Sequence, residues 1–216
     1  MLHNRSKPSQ RFPPTVPSVG VAGRAHATMP MRVDNHDGTI VDNETGLVWE
    51  KKSADFGIHH LENYYTWSVQ PRPDVYDGTA PDGTVFTEFI ATLNTPPCFA
   101  AYCDWRLPTI VELESILPED DDFCVEETPC VAAAFNSNCS AGCSETECSC
   151  TYPWTTWSAT TVADYPTQAW SLNFFSGSKN SGDAKSAGGN TARAVRKDDF
   201  SLASPRRGTS RIGAQP

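Results

Sequence analysis

The chain lacks the short signatures that mark the common catalytic classes. It has no G-x-S-x-G elbow, no H-E-x-x-H pair and no P-loop, which leaves α/β-hydrolase, zincin and P-loop NTPase chemistry without an anchor. No run of about 18 apolar residues occurs, which excludes a membrane-spanning helix. The paired C-x2-C units of structural zinc sites are missing too, and His3, His26, His36, His59 and His60 all precede the first cysteine. Basic residues are scarce where they would matter. Five of them fall in residues 1–32 and four, with two Asp, in 197–216, leaving 8 basic against 24 acidic residues in 33–196. A body at net −16 repels nucleic acid and anionic membranes, so its partners are expected to be neutral, cationic or bridged by a metal ion.

What is present suits one domain with tails. At 216 residues the chain can bury a substantial core, and its six tryptophans, from Trp49 to Trp170, place that core between them. Residues 1–31 are Pro-rich and polar and read as disordered, as does the basic tail 197–216. Eight cysteines crowd into 98–150. An even number without zinc-type spacing points to disulfides, hence to an oxidising, extracytoplasmic setting: secreted, periplasmic or cell-surface. The N-terminal segment offers Ala25-His26-Ala27, which resembles a cleavage site, but no apolar run precedes it.

Turn chemistry locates the first elements. In "RVDNHDGTIVDNETGLVWEK" the turns His36-Asp37-Gly38 and Asn43-Glu44-Thr45-Gly46 separate three short β patterns, predicting a small meander. Residues 68–83 read as loop. Val85, Phe86, Phe89, Ile90 and Leu93 share a helical face, with Asp82 as its candidate cap. Thr109 with Glu112 matches a capping box, and Ile110, Leu113, Ile116 and Leu117 form the stripe of a second helix. Residues 118–151 read as an acidic, Cys-rich loop. Strands are expected at 169–175 and 191–196, with a Gly/Ser/Asn-rich loop between them.

Four constellations invite functional readings. Around Gly38 the acids resemble a calcium loop, but aligning Gly38 at its sixth position puts Val33 at the first, where an oxygen ligand is needed. The acids therefore serve turns. The cluster Pro118–Asp122 with Glu126 and Glu127 keeps calcium as a candidate, although no cofactor is expected. Arg106, between Trp105 and Leu107, is either a ligand-binding guanidinium or a structural partner for a buried acid or carbonyl. Trp154 and Trp157 are either sugar-stacking platforms or core.

Taken in order, "DNHDGTIVDNETGLVWEK", "YTW" at 65–67, "DWRLPTIVELESIL", "WSATT", "AWSLNF" and "ARAVR" resemble the Lcl C-terminal domain family across residues 32–196. Ala194 stands where a cysteine is often found, and the stretches 70–83 and 124–150 look like insertions. The resemblance implies an α+β, C-type-lectin-like fold: twisted antiparallel sheets, two helices, disulfide-stapled loops and termini close together. It implies a secreted or surface-attached bacterial protein, and it transfers no catalytic or metal residues. The eponymous member binds sulfated glycosaminoglycans, a ligand that a body at −16 disfavours. Within such a fold, Cys98 would pair with Cys103 and Cys124 with Cys130, while Cys139, Cys143, Cys148 and Cys150 pair among themselves in one of three ways.

The expected function is a non-enzymatic binding or adhesion module. Loops 70–83, 118–153 and 176–190 would recognise a glycan or surface polymer. The alternatives are an enzyme or accessory subunit using carboxylates such as Asp104 beside Arg106, or a purely structural envelope protein. The sequence leaves the oligomeric state open.

Overall fold

The structure is a computed structural model, and it describes residues 31–69, 78–118, 124 and 129–198. The expected disordered segments and the acids at 119–122, 126 and 127 lie outside these, apart from Met31, Lys197 and Asp198.

Two antiparallel sheets form the frame. Strands β1 (Arg32–Asp34), β2 (Thr39–Asp42), β3 (Leu47–Glu50) and β7 (Val195–Lys197) lie side by side in that order. The remaining three, β4 (Thr155–Val162), β5 (Tyr165–Asn173) and β6 (Ser178–Ala184), make the second sheet. Arg32 faces Asp42, and Leu47 faces Lys197. The chain therefore enters and leaves the domain at one end of the first sheet.

The acids of the meander shape its turns. Asp34 Oδ1 accepts the His36 N–H, Asp37 Oδ1 accepts the N–H and hydroxyl of Thr39, and Asp42 Oδ1 accepts the N–H groups of Glu44 and Thr45. Gly38 at φ +92° supplies the positive φ such a turn requires.

Every residue of β3 is buried, because both faces of its sheet are covered. Leu47 and Trp49 join a cluster with Ile110, Leu113, Ile116, Phe135 and Leu172, whereas Val48 joins Trp67, Val85, Phe89, Leu93, Trp105 and Trp157 on the other side. The first helix, α1, is π-wound over Val85–Ile90 and α-helical over Ala91–Leu93. Gly83 precedes it where a Cβ would sit 2.4 Å from the Thr66 carbonyl oxygen, so only glycine fits. Asp82 does not cap this helix; it accepts from the Ser68 hydroxyl and the Val69 N–H.

The second helix, α2 (Ile110–Glu114), begins with the full capping box of Thr109 and Glu112. Thr109→Ala is expected to cost about 1 kcal/mol, read as a lower denaturant midpoint with an unchanged slope.

Two sequence expectations need correcting. The segment read as loop between residues 175 and 191 contains strand β6, which pairs with β5 over Gln168–Asn173. Residues 155–162, unassigned from sequence, form β4. Four disulfides staple the domain: Cys98–Cys103, Cys124–Cys130, Cys139–Cys150 and Cys143–Cys148. They indicate an oxidising, extracytoplasmic environment. No helix among the described residues is long and apolar enough to cross a membrane.

Candidate functional site

The two tryptophans proposed as sugar platforms part company. Trp157 lies in β4 with 1% of its surface exposed, packs with Ala169 and Trp67, and donates its indole N–H to the Tyr65 carbonyl at 2.8 Å. It presents no face to a ligand, which corrects the reading of Trp157 as a binding residue. Trp154 sits one residue before β4 and is 54% exposed. The other five tryptophans are buried or partly buried.

Trp154 lies two residues from Tyr152, and with Tyr64 these three residues make up an aromatic strip along one segment of surface, two members of which sequence inspection missed. The Trp154 N–H donates to the Tyr152 carbonyl, and its own carbonyl accepts the N–H of Phe174 at 3.0 Å. The Tyr152 ring meets Tyr64 edge-on at 6.0 Å, and Tyr64 is 49% exposed. A hydrogen bond to Tyr152, reinforced by burial, raises the Tyr64 hydroxyl to about 12. Phe175, next to Phe174, is 40% exposed. The signal that could have found the strip was the pair of aromatic segments "NYY" and "TYPW".

Rigid backbone holds the strip. Tyr65 N–H donates to Asn190 O, and Thr191 N–H donates to Thr155 O. Asn190 accepts from the Thr155 hydroxyl and donates to Asp183, which also accepts from Ser171. Segment 151–155 and residues 190–191 thus meet the Tyr64–Thr66 segment on one margin of the second sheet. Cys124 and Cys130 meet segment 173–177 beyond it, through Cys130 N–H to Phe174 O and the packing of Gly177 against both sulfurs.

Arg106 is committed elsewhere. Its guanidinium makes a two-pronged pair with Glu112, at 2.8 and 2.6 Å, with a side chain 38% exposed. Glu112 raises the Arg106 pKa, against burial. The same carboxylate completes the α2 cap by accepting the Thr109 N–H. Asp104 pairs instead with Arg196, whose guanidinium lies 3.8 Å from the Tyr102 ring centroid. Asp104 thus hydrogen-bonds Arg196 rather than Arg106, although its charge adds to that of Glu112 in raising the Arg106 pKa. An open groove of about 550 Å³ runs beside α2 between Thr45–Leu47, Val111 and Lys197–Asp198, and it contains neither Trp154 nor Tyr64.

A buried charged node supports the frame. Glu50 accepts from Lys52 Nζ at 3.1 Å, His59 Nδ1 at 2.7 Å and the Ala194 N–H at 2.8 Å. Burial alone would raise the Glu50 pKa, but Lys52, His59 and Ala194 together hold it below its ordinary value. Burial lowers Lys52 by more than its attraction to Glu50 restores. Arg193, fully buried, donates to the carbonyls of Glu50 and Cys150, and desolvation draws it down to about 10.

This geometry defines a small α+β domain, stapled by disulfides, with exposed aromatic residues at one margin. The family model of the Lcl C-terminal domain matches residues 38–196, nearly three quarters of the chain. The chain belongs to the Lcl C-terminal domain family. No curated protein and no solved structure matches it.

Proposed function

We propose that this domain is a non-enzymatic, extracytoplasmic binding or adhesion module of a bacterial surface, and that Tyr64, Tyr152 and Trp154 form its ligand-contacting strip. The observation that carries the reading is the half-exposed indole of Trp154, two residues along the chain from Tyr152, whose ring meets the half-exposed Tyr64 edge-on. Aromatic faces suit the CH-rich faces of sugars, and hydroxyls on the same strip donate to ring substituents. With a body at −16, neutral or cationic glycans and surface polymers fit better than sulfated ones.

A broad glycan array, run with and without calcium, tests this. The wild type is expected to bind a subset of neutral or amino-sugar glycans, and Trp154→Ala to weaken that binding by about tenfold or more. An array with no binding under either condition contradicts the proposal.

A further inference from the structure

The most exposed large apolar side chain among the described residues lies outside the strip. Phe56 is 87% exposed, and its backbone sits at φ +65°, a left-handed conformation that costs a bulky residue free energy and that glycine adopts freely. Strain of that kind persists only where the surroundings impose it, and it concentrates at ligand contacts. The loop around Phe56 does impose it. Ser53 N–H donates to His59 O, Leu61 N–H donates to Ser53 O, and Asp55 Oδ1 accepts from the Ser53 hydroxyl and the Gly57 N–H. The Phe56 ring stacks on buried His60, with centroids 4.7 Å apart. Behind the loop, Ala54 donates to Cys143 O and accepts from the Gly142 N–H, so the segment stapled by Cys139–Cys150 and Cys143–Cys148 braces it. An aromatic ring is thus held out in water at a fixed place.

Continuity and charge indicate what covers it. Asn63 donates its side-chain amide to the Gly57 carbonyl at 2.9 Å. Phe56 and Tyr64 flank that bond by one residue each, which keeps their Cα atoms within about 17 Å of one another. Residues 53–64 and 139–150 contain no Lys or Arg, whereas Asp55, Glu62 and Glu147 in these segments are exposed. Hydrogen bonds from Ser53 and Gly57 hold the Asp55 carboxyl below its ordinary pKa, and those from Ser144 do the same for Glu147. The two histidines add no cation to this surface, since His59 is tied to Glu50 and His60 is buried.

We propose, on the footing that the strip binds glycan, that Phe56 is a second anchor for the same ligand and that this ligand is an extended amino-sugar polymer bearing free ammonium groups. Sugar faces stack on Trp154 and on Phe56. The carboxylates of Asp55, Glu62 and Glu147 attract ammonium groups on the rings and repel sulfated chains. A chain long enough to engage both anchors gains from the second contact as an intramolecular event, which a single ring cannot.

The test titrates the full chain with β-linked glucosamine oligomers from dimer to octamer, and with their fully N-acetylated counterparts. Wild-type affinity is expected to rise by about tenfold or more from dimer to octamer, and to be higher for the amine-bearing octamer than for the acetylated one. Phe56→Gly suits the left-handed backbone, so its denaturant midpoint should stay close to that of wild type. Its affinity for the octamer is expected to fall about tenfold, towards that of the dimer, with dimer binding unchanged. Phe56→Ala, which keeps a Cβ, should lose octamer affinity to the same extent, and Trp154→Ala should weaken dimer and octamer alike. Wild-type octamer affinity in both Phe56 variants overturns the second anchor, as does failure of wild type to bind any amine-bearing oligomer. Equal affinity for amine-bearing and acetylated octamers overturns the ligand class. If Trp154→Ala still weakens binding in those cases, the strip keeps its role; octamer binding untouched by Trp154→Ala removes strip and second anchor together.

Discussion

Glu50→Ala is expected to lower the unfolding free energy by about 3–5 kcal/mol. Glu50 is fully buried and accepts from Lys52, His59 and Ala194. Its removal leaves the buried Lys52 ammonium without its carboxylate and removes the charge that faces Arg193. An uncompensated buried charge costs far more than the pair contributes. Glu50→Gln keeps the shape and most acceptor sites, so its loss should be smaller.

The same residue sets a pH dependence. The folded pKa of Glu50 lies below the ordinary 4.5, so the folded state binds its proton less readily than the unfolded state. Its contribution is fully present above about pH 4.5 and is lost as pH falls through the folded value. Urea unfolding across this range should show wild-type stability falling with acid, and a flatter profile for Glu50→Ala. A variant as stable as wild type at neutral pH would contradict the buried node.

The second large effect separates two tryptophans three residues apart. Trp157→Ala is expected to cost about 3–5 kcal/mol, because the indole fills the core and satisfies the Tyr65 carbonyl. Trp154→Ala should cost about 1 kcal/mol or less, since half of its surface already faces solvent. Equal losses measured by denaturant unfolding would show that both indoles are core and would remove the exposed aromatic strip.

These contrasts show where the sequence was legible. The meander and α2 were readable because their determinants are local: Asx turns at Asp34, Asp37 and Asp42, and the Thr109–Glu112 box. Strand β6, "SKNSGDA", was not. It has no apolar alternation, and it is a strand because β5 offers it a ladder, so pairing overrides propensity. Strand β4, "TTWSATTV", did carry the β-branched enrichment of a strand. Reading it would have placed Trp157 inside the fold and Trp154 just outside.

The node at Glu50 was invisible for a different reason. An acid in "LVWEK" at the end of a strand looks solvated. It is buried because His59 and Ala194, nine and 144 residues away, converge on it. Arg106 follows the same pattern. Its partner is the capping glutamate six residues on, a double use of one carboxylate that spacing does not announce.

The aromatic strip is the centre of the proposed function, and binding to a glycan identified on the array tests it most directly. Isothermal titration of wild type, Trp154→Ala and Tyr64→Ala, each confirmed to be folded, should show affinity falling by about tenfold or more for Trp154→Ala and by less for Tyr64→Ala. Wild-type affinity in both variants would place the ligand elsewhere on the domain and contradict the assignment.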